Sequence, residues 1–419
     1  MRAVILSALA AVVALSCVAC NGGMQQTALP GVESQPGAQA PASSAGPETS
    51  DTSSDGSDDQ PDEPPVTSGR PAMSRPGAST PRASAPAGHS PSPRPPARPA
   101  FRNACAHAAS PGRRQCDSLV RLQAHRPCSK SAPYCASDLQ SAYGAAQAAR
   151  NRGRGVLVAI VGAYGYPSAA SDLAVYRKSM GLSACTAGSG CLKIVNQTGH
   201  TSPLPKPNAD ASDDWRAEEA VDVQMVSALC PNCRLLLVQA NSDKDADLAA
   251  GVNAAVALGA TAISNSYGSD ETNAADAAYA HAGRTITASA GDGTANQPCS
   301  FAGVVCVGGT TLNAASGRWT ERAWRSGGSA CSAYVAKPSW QRARGCAMRS
   351  VADVSAVGDP STGVAFYESA GGGWQQAGGT GVSAPIVAAL FALEPSSVRA
   401  NAPAWLWRHG RKPPKLGGS

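Results

Sequence analysis

"GVLVAIVGAY", residues 155–164, is a continuous apolar run rich in β-branched side chains. Such a run suits a strand buried on both faces, not the alternating strand of a half-solvated sheet. "CRLLLVQA" (233–240), "ATAISNSYG" (260–268), "RTITASAGD" (284–292) and "GVVCVGGTTL" (303–312) read the same way. Between them lie helix-like segments: "SDLAVYRKSM" (171–180), "DDWRAEEAVDVQMVSAL" (213–229) and "DADLAAGVNAAVALG" (245–259). The alternation predicts an α/β fold, with a mainly parallel sheet and helices on both faces. Sites in such sheets form in the crevice at the carboxyl ends of the strands. There the sequence sets Ser264, Ser266 and Tyr267 after one strand, and Ser289 and Asp292 after the next.

The flanks of this region differ in composition. Residues 21–100 are mostly Pro, Ser, Gly, Ala and Asp, and cannot bury enough surface to offset ordering entropy. They read as a disordered linker, acidic first and then basic and proline-rich: a solvated tether or a polyanion-binding arm. Residues 1–20 read as a signal peptide, since one Arg precedes a short apolar run. Small residues lead up to Cys20, as in a lipoprotein signal, although Cys17 stands where Leu is usual. Residues 101–393 are enough for one large domain. Residues 394–419, Pro- and Arg-rich, read as an atypical, unstructured tail. The net charge of +6 is spread out, with no basic stripe and interleaved aromatics, which argues against a nucleic-acid partner. No dinucleotide fingerprint or phosphate-binding lysine loop is present, and "GAYGYP" has the wrong glycine spacing.

The chain has 14 cysteines. With Cys17 and Cys20 set aside, the others fall into close couples: Cys105/Cys116, Cys128/Cys135, Cys185/Cys191, Cys230/Cys233, Cys299/Cys306 and Cys331/Cys346. An even count with short spacings in an exported chain reads as disulfide-stapled loops, with nearest-neighbour pairing as the expectation. "CPNC" at 230–233 has no second CxxC and no nearby His, so it reads as a disulfide rather than a zinc or redox site.

The segment 213–229 carries the candidate chemistry. Asp213 or Asp214 can cap it. At 100° per residue, Glu218, Asp222, Met225 and Leu229 share one stripe, and Glu219 falls towards the other side. Two carboxylates thus project from the apolar side, where solvated acids are not expected. Acids at i and i+4 are neighbours, and burial with mutual repulsion raises at least one pKa, so the pair can hold a single proton. That suits a general base and acid working below neutral pH. Asp292, in "SAGDGT", is a third candidate: protonated, it could donate to a developing oxyanion; otherwise it is a turn-forming Asp before Gly. The six histidines offer no base for a Ser-His-Asp mechanism and no metal cluster.

These pieces meet at "GGTGVSAPIVAALFAL" (378–393), a glycine-rich turn running into an apolar helix. Together with "VAIVGAYGYPSAASDLAVYR", "EEAVDVQMVSALCPNCRLLLVQANS", "AISNSYG", "ITASAGD", "VCVGGTTL", "AKPSWQ" and "DVSAVGDPSTGVAFY", it resembles the sedolisin, or serine-carboxyl peptidase, family in its exported bacterial branch. The resemblance spans about 136–393. It implies a subtilisin-like fold and a polypeptide substrate. It casts Glu218 as general base, Asp222 as its supporting acid and Asp292 as the oxyanion-stabilising acid. Ser266, Tyr267 and Gly268 would line the substrate cleft.

The departures are as informative. The family motif is Gly-Thr-Ser with Pro a few residues on; here the order is Thr380, Gly381, Val382, Ser383, Ala384, Pro385. Gly381 takes the nucleophile position and cannot form an acyl-enzyme. Ser383, two residues on, lies about 200° round a helix and reads as a packing residue, with a displaced nucleophile as the other option. The family's calcium site is not recognisable, a folded propeptide has no room, and Gly162 stands where relatives often carry Asp. The sequence therefore predicts an exported, monomeric endopeptidase homologue with impaired catalysis and no cofactor, touching a membrane only through Cys20. The alternatives are a peptide- or envelope-binding lipoprotein on the same scaffold, and a degraded product that folds poorly.

Overall fold

A computed structural model describes residues 101–105, 112–121, 133–274, 277–291, 293–315 and 317–410. The signal peptide, Cys20, the linker, Cys128 and Asp292 lie outside these described residues.

The apolar runs form one parallel sheet. Its order is Arg318–Ala323, Val304–Ala315, Thr285–Ser289, Ala262–Asn265, Leu157–Ala163, Arg234–Ala240 and Leu192–Asn196, and Val354–Val357 also pairs with Val304–Ala315. Only the pairing of Val304–Ala315 with Arg318–Ala323 is antiparallel. Val158, Ala159, Ile160 and Val161 in the central strand are all buried, as a sheet covered on both faces requires. Successive side chains leave opposite faces. A Cβ at Gly162 would meet Glu219 of the helix Trp215–Leu229, whereas Val161 packs under Gly251 of the helix Asp245–Ala257. These two helices therefore cover opposite faces. The helix Thr380–Ala392 lies with Trp215–Leu229, and its Ala384 carbonyl accepts from Thr287 Oγ1. This is the α/β arrangement expected from the sequence.

Five disulfides join nearest neighbours: Cys105–Cys116, Cys185–Cys191, Cys230–Cys233, Cys299–Cys306 and Cys331–Cys346. Cys135 is also disulfide-bonded. Among the described residues no helix is long and apolar enough to cross a membrane.

Three expectations are corrected. The run 260–268 is not one strand; it breaks at Ser266 into Ala262–Asn265 and Tyr267–Asp270. The segment 394–410, the described part of the expected tail, is not unstructured. Ser396–Arg399 and Ala402–His409 are helical, and Ala402 and Leu406 join the hydrophobic core. Trp407 Nε1 donates to Asp353 Oδ1 at 2.7 Å, and Asp353 is fully buried with Arg349 in a 2.7 Å ion pair. Composition hid this, because two Trp and a Leu in "AWLWRHG" supply the apolar face that the Pro and Arg count obscures. Last, Asp214 occupies the N-cap of Trp215–Leu229, but its side chain makes no capping bond; it binds Arg216 Nε at 2.9 Å.

Candidate active site

The acid-bearing helix Trp215–Leu229 is buried on every side, with only Arg216 partly exposed. Its one-sided reading is thus corrected: Glu219, placed away from the core by the helical wheel, is as buried as Glu218 and Asp222. The sheet takes up the side the wheel left to solvent: a Cβ at Gly162 would meet Glu219, and Gln239 Nε2 donates to Glu219 Oε2 at 3.0 Å.

Glu218 and Asp222 lie at the start of the junction helix. Glu218 Oε2 accepts from the Ser118 backbone N–H at 2.8 Å, and Oε1 accepts from Ser118 Oγ at 2.8 Å. Asp222 Oδ1 accepts from Ser266 Oγ at 2.7 Å, and the same hydroxyl lies 3.1 Å from the Gly381 carbonyl. Burial pushes the Glu218 carboxyl well above the usual range, and the nearby Asp222 charge adds to the rise. Burial likewise raises Asp222, against the hydrogen bond from Ser266. Acids whose charges interact in this way titrate as a pair.

A Cβ built on Gly381 would touch Glu218 Oε1, lie 2.7 Å from Ser118 Oγ, and lie 2.9 Å from the Asp117 carbonyl carbon. The structure therefore brings the Gly381 position and the two acids together. It does not bring Ser383 to them. Ser383 is fully buried and its hydroxyl faces the carbonyls of Ala356 and Val357 at 3.1 and 3.0 Å, the setting of a packing residue. Asp292 falls outside the described residues, so its place relative to the acids is not described.

Ser266, Tyr267 and Gly268, expected to line a substrate cleft, are all buried. Ser266 holds Asp222 through its hydroxyl. The Tyr267 ring turns inward, its hydroxyl meeting Asn265 Oδ1 at 2.8 Å and Tyr279 at 3.1 Å. Its backbone pairs with that of Cys116, and Gly268 with Gln115, in an antiparallel ladder.

The partner in that ladder is what sequence reasoning missed. The segment 112–121, "GRRQCDSLVR", runs alongside Tyr267–Asp270. It is short and charged, so neither periodicity nor apolar content marks it as a strand; the Cys105/Cys116 couple was its one available signal. The Asp117 N–H donates to the Ser266 carbonyl at 3.1 Å, and the Asp117 carbonyl accepts the Gly381 N–H at 3.0 Å. That N–H is one of the unpaired donors at a helix start. Asp117 Oδ2 accepts from Ser289 Oγ at 2.5 Å. Asn296 braces this corner once its amide is turned over, the orientation that satisfies both ends: its nitrogen then donates to the Ser289 carbonyl (3.3 Å) and its oxygen accepts from Gly291 N–H (3.2 Å). Among the described residues, no group of three or more His, Cys, Asp or Glu side chains could hold a metal ion.

The fold is subtilisin-like. Among solved structures, the chain is similar to a Pseudomonas sedolisin, a serine-carboxyl proteinase solved with two molecules of pseudo-iodotyrostatin. The identity is 24%, the match covers 66% of this chain and 85% of that one, and the TM-score is 0.56. A serine protease of Staphylococcus aureus that processes the epidermin leader peptide is also similar, at 14% identity, with 64% and 72% of the two chains covered and a TM-score of 0.41. No family model and no curated protein matches the chain.

Proposed function

We propose that the chain is an exported serine-carboxyl peptidase scaffold of the sedolisin type that holds peptide but forms no acyl-enzyme. Glu218 is the proton acceptor, Asp222 its partner acid, and Asp292 the oxyanion-stabilising acid. The observation that carries this reading is the setting of Gly381. Its missing Cβ would touch the Glu218 carboxylate, where a nucleophile and its base must meet. Its N–H already points at a carbonyl, as an oxyanion donor would. The reading needs no cofactor. Short-range disulfides fit an oxidising compartment.

A second reading, a peptide- or envelope-binding lipoprotein anchored through Cys20, is favoured by one observation: Tyr267–Asp270 already pairs with an extended strand. Both readings predict no hydrolysis by the unaltered chain. The test assays cleavage of an unstructured polypeptide from about pH 3 to pH 8 with the full chain, Gly381→Ser and Ser383→Ala. Only Gly381→Ser should cleave, and best in acid; loss of a triad nucleophile costs roughly 10⁶-fold. Cleavage by the unaltered chain that Ser383→Ala abolishes would show a displaced nucleophile and sink the proposal. Inactivity of Gly381→Ser leaves the binding reading in place.

A further inference from the structure

The segment 112–118 sits in the cleft with every feature of a bound peptide. Its backbone is laddered on one side to Tyr267–Asp270. On the other side it meets 243–245: Arg114 N–H donates to the Asp243 carbonyl at 2.8 Å, and Asp245 N–H to the Gly112 carbonyl at 3.0 Å. Two side chains are received specifically. Arg114 lies 2.7 Å from the Asp245 carboxylate and donates to Ser269 Oγ at 2.6 Å and the Gln297 carbonyl at 2.5 Å. The Asp117 carboxylate takes the Ser289 hydroxyl.

The decisive feature is the bond between Asp117 and Ser118. Its carbonyl oxygen accepts the helix-start N–H of Gly381, and its amide nitrogen donates to Glu218. One end of a single peptide bond faces the oxyanion donor, and the other faces the group that would protonate a leaving amine. The Gly381 Cβ position lies 2.9 Å from its carbonyl carbon. An ordinary interdomain strand has no reason to place one bond across both groups.

We propose that the cleft is a peptide site whose resident ligand is the chain's own Arg114–Ser118, seated in the register of a substrate to be cut between Asp117 and Ser118. The proposal rests on the serine-carboxyl reading and adds the ligand: an extended peptide with Asp before the bond and Arg three residues further back. Ser289 and the Ser269/Asp245 pair determine that choice. The occupant and Gly381 are matched, because a side chain at 381 needs room the seated segment takes. Of the atoms in its way, the Glu218 and Ser118 side-chain ends can swing aside, whereas the Asp117 carbonyl carbon at 2.9 Å is backbone, so the seated segment itself must shift to admit a side chain at 381.

Gly381→Ser supplies the missing atom. The introduced hydroxyl oxygen attacks the Asp117 carbonyl carbon and its proton passes to Glu218. The carbon–nitrogen bond breaks, and Glu218 returns the proton to the Ser118 nitrogen. Water then hydrolyses the ester, freeing the Asp117 carboxyl group and restoring the hydroxyl.

The test uses the full chain, unaltered and as Gly381→Ser, Gly381→Ser with Glu218→Gln, and Asp117→Lys. Intact mass and N-terminal sequencing read the cut, an added unstructured polypeptide reports general activity, and hydrogen exchange reads occupancy. A new N-terminus at Ser118 in Gly381→Ser, absent when Glu218→Gln is added, is the expected result. Hydrolysis of the added polypeptide without that cut would overturn the register while leaving the serine-carboxyl reading intact. If no variant cleaves anything, exchange decides. Amides of 115–118 protected at least tenfold in the unaltered chain, and released in Asp117→Lys while 235–240 stays protected, would keep the occupant and sink the catalytic reading. Free exchange at 115–118 in the unaltered chain would overturn the occupant.

Discussion

At Glu219 a third carboxyl group is buried on the acid helix, and nothing in the proposed chemistry uses it. Its Oε2 accepts from Gln239 Nε2 at 3.0 Å, and its Oε1 has no partner. Burial raises its pKa well above the usual range, with the Gln239 bond opposing. The sign follows. A carboxyl raised in the folded state binds its proton more tightly there than in the unfolded chain, whose value is about 4.3. The stabilisation is complete below that pH and is lost as pH rises through the folded value. Stability should therefore fall from about pH 4 towards neutrality, each retained proton contributing a slope of about 1.4 kcal/mol per pH unit. Glu219→Gln should flatten that fall, with Glu218 and Asp222 supplying what remains. Urea midpoints across the range check it, and equal slopes in the two proteins would show Glu219 to be ionised when folded. Ser266 also gains meaning at this scale, since one hydroxyl links Asp222 to the Gly381 carbonyl.

Among the elements, the short helix Ala402–His409 depends on an ion pair in the core. Arg349 and Asp353 are both fully buried. Asp353 also accepts from Cys306 N–H at 2.9 Å and Trp407 Nε1 at 2.7 Å, while Arg349 lies over the Trp340 ring. Removing one partner of such a pair strands the other charge, at a cost of about 3–5 kcal/mol. Arg349→Met should lose about that much in a urea titration, and a loss below 1 kcal/mol would show that Asp353 does not need the guanidinium. The same comparison shows what could be read in advance. The buried strands were legible because apolar runs have one stable use in a parallel sheet, and Glu218 and Asp222 because i and i+4 meet on a helix. Burial of Glu219 was not, since a helical wheel cannot know that Gly162 and Gln239 of the sheet lie against that side. Nor was the strand Gln115–Cys116, because its fit comes from backbone pairing with Tyr267–Asp270 and from charges met far away in sequence.

Taken whole, the molecule is stapled locally. Each of the five described bridges closes a separation of 3 to 15 residues. Cys105–Cys116 differs from the rest in closing on the segment that pairs with Tyr267–Asp270. Replacing both cysteines by Ser should cost about 3 kcal/mol by the loop-entropy argument. It should also raise exchange in 112–118 before any other part of the domain, and uniform loosening would show that the bridge serves the whole fold instead. The spacing of the bridges has a further consequence. Cys105–Cys116 closes one residue before Asp117, and the other described bridges with both ends known begin at Cys185 or later. None of them spans the Asp117–Ser118 bond. That one amide is all that these covalent links leave between everything ahead of it and the sheet behind it. Severing it would leave Cys105–Cys116 and what precedes it held to the sheet by hydrogen bonds and packing, with none of these bridges across the cut.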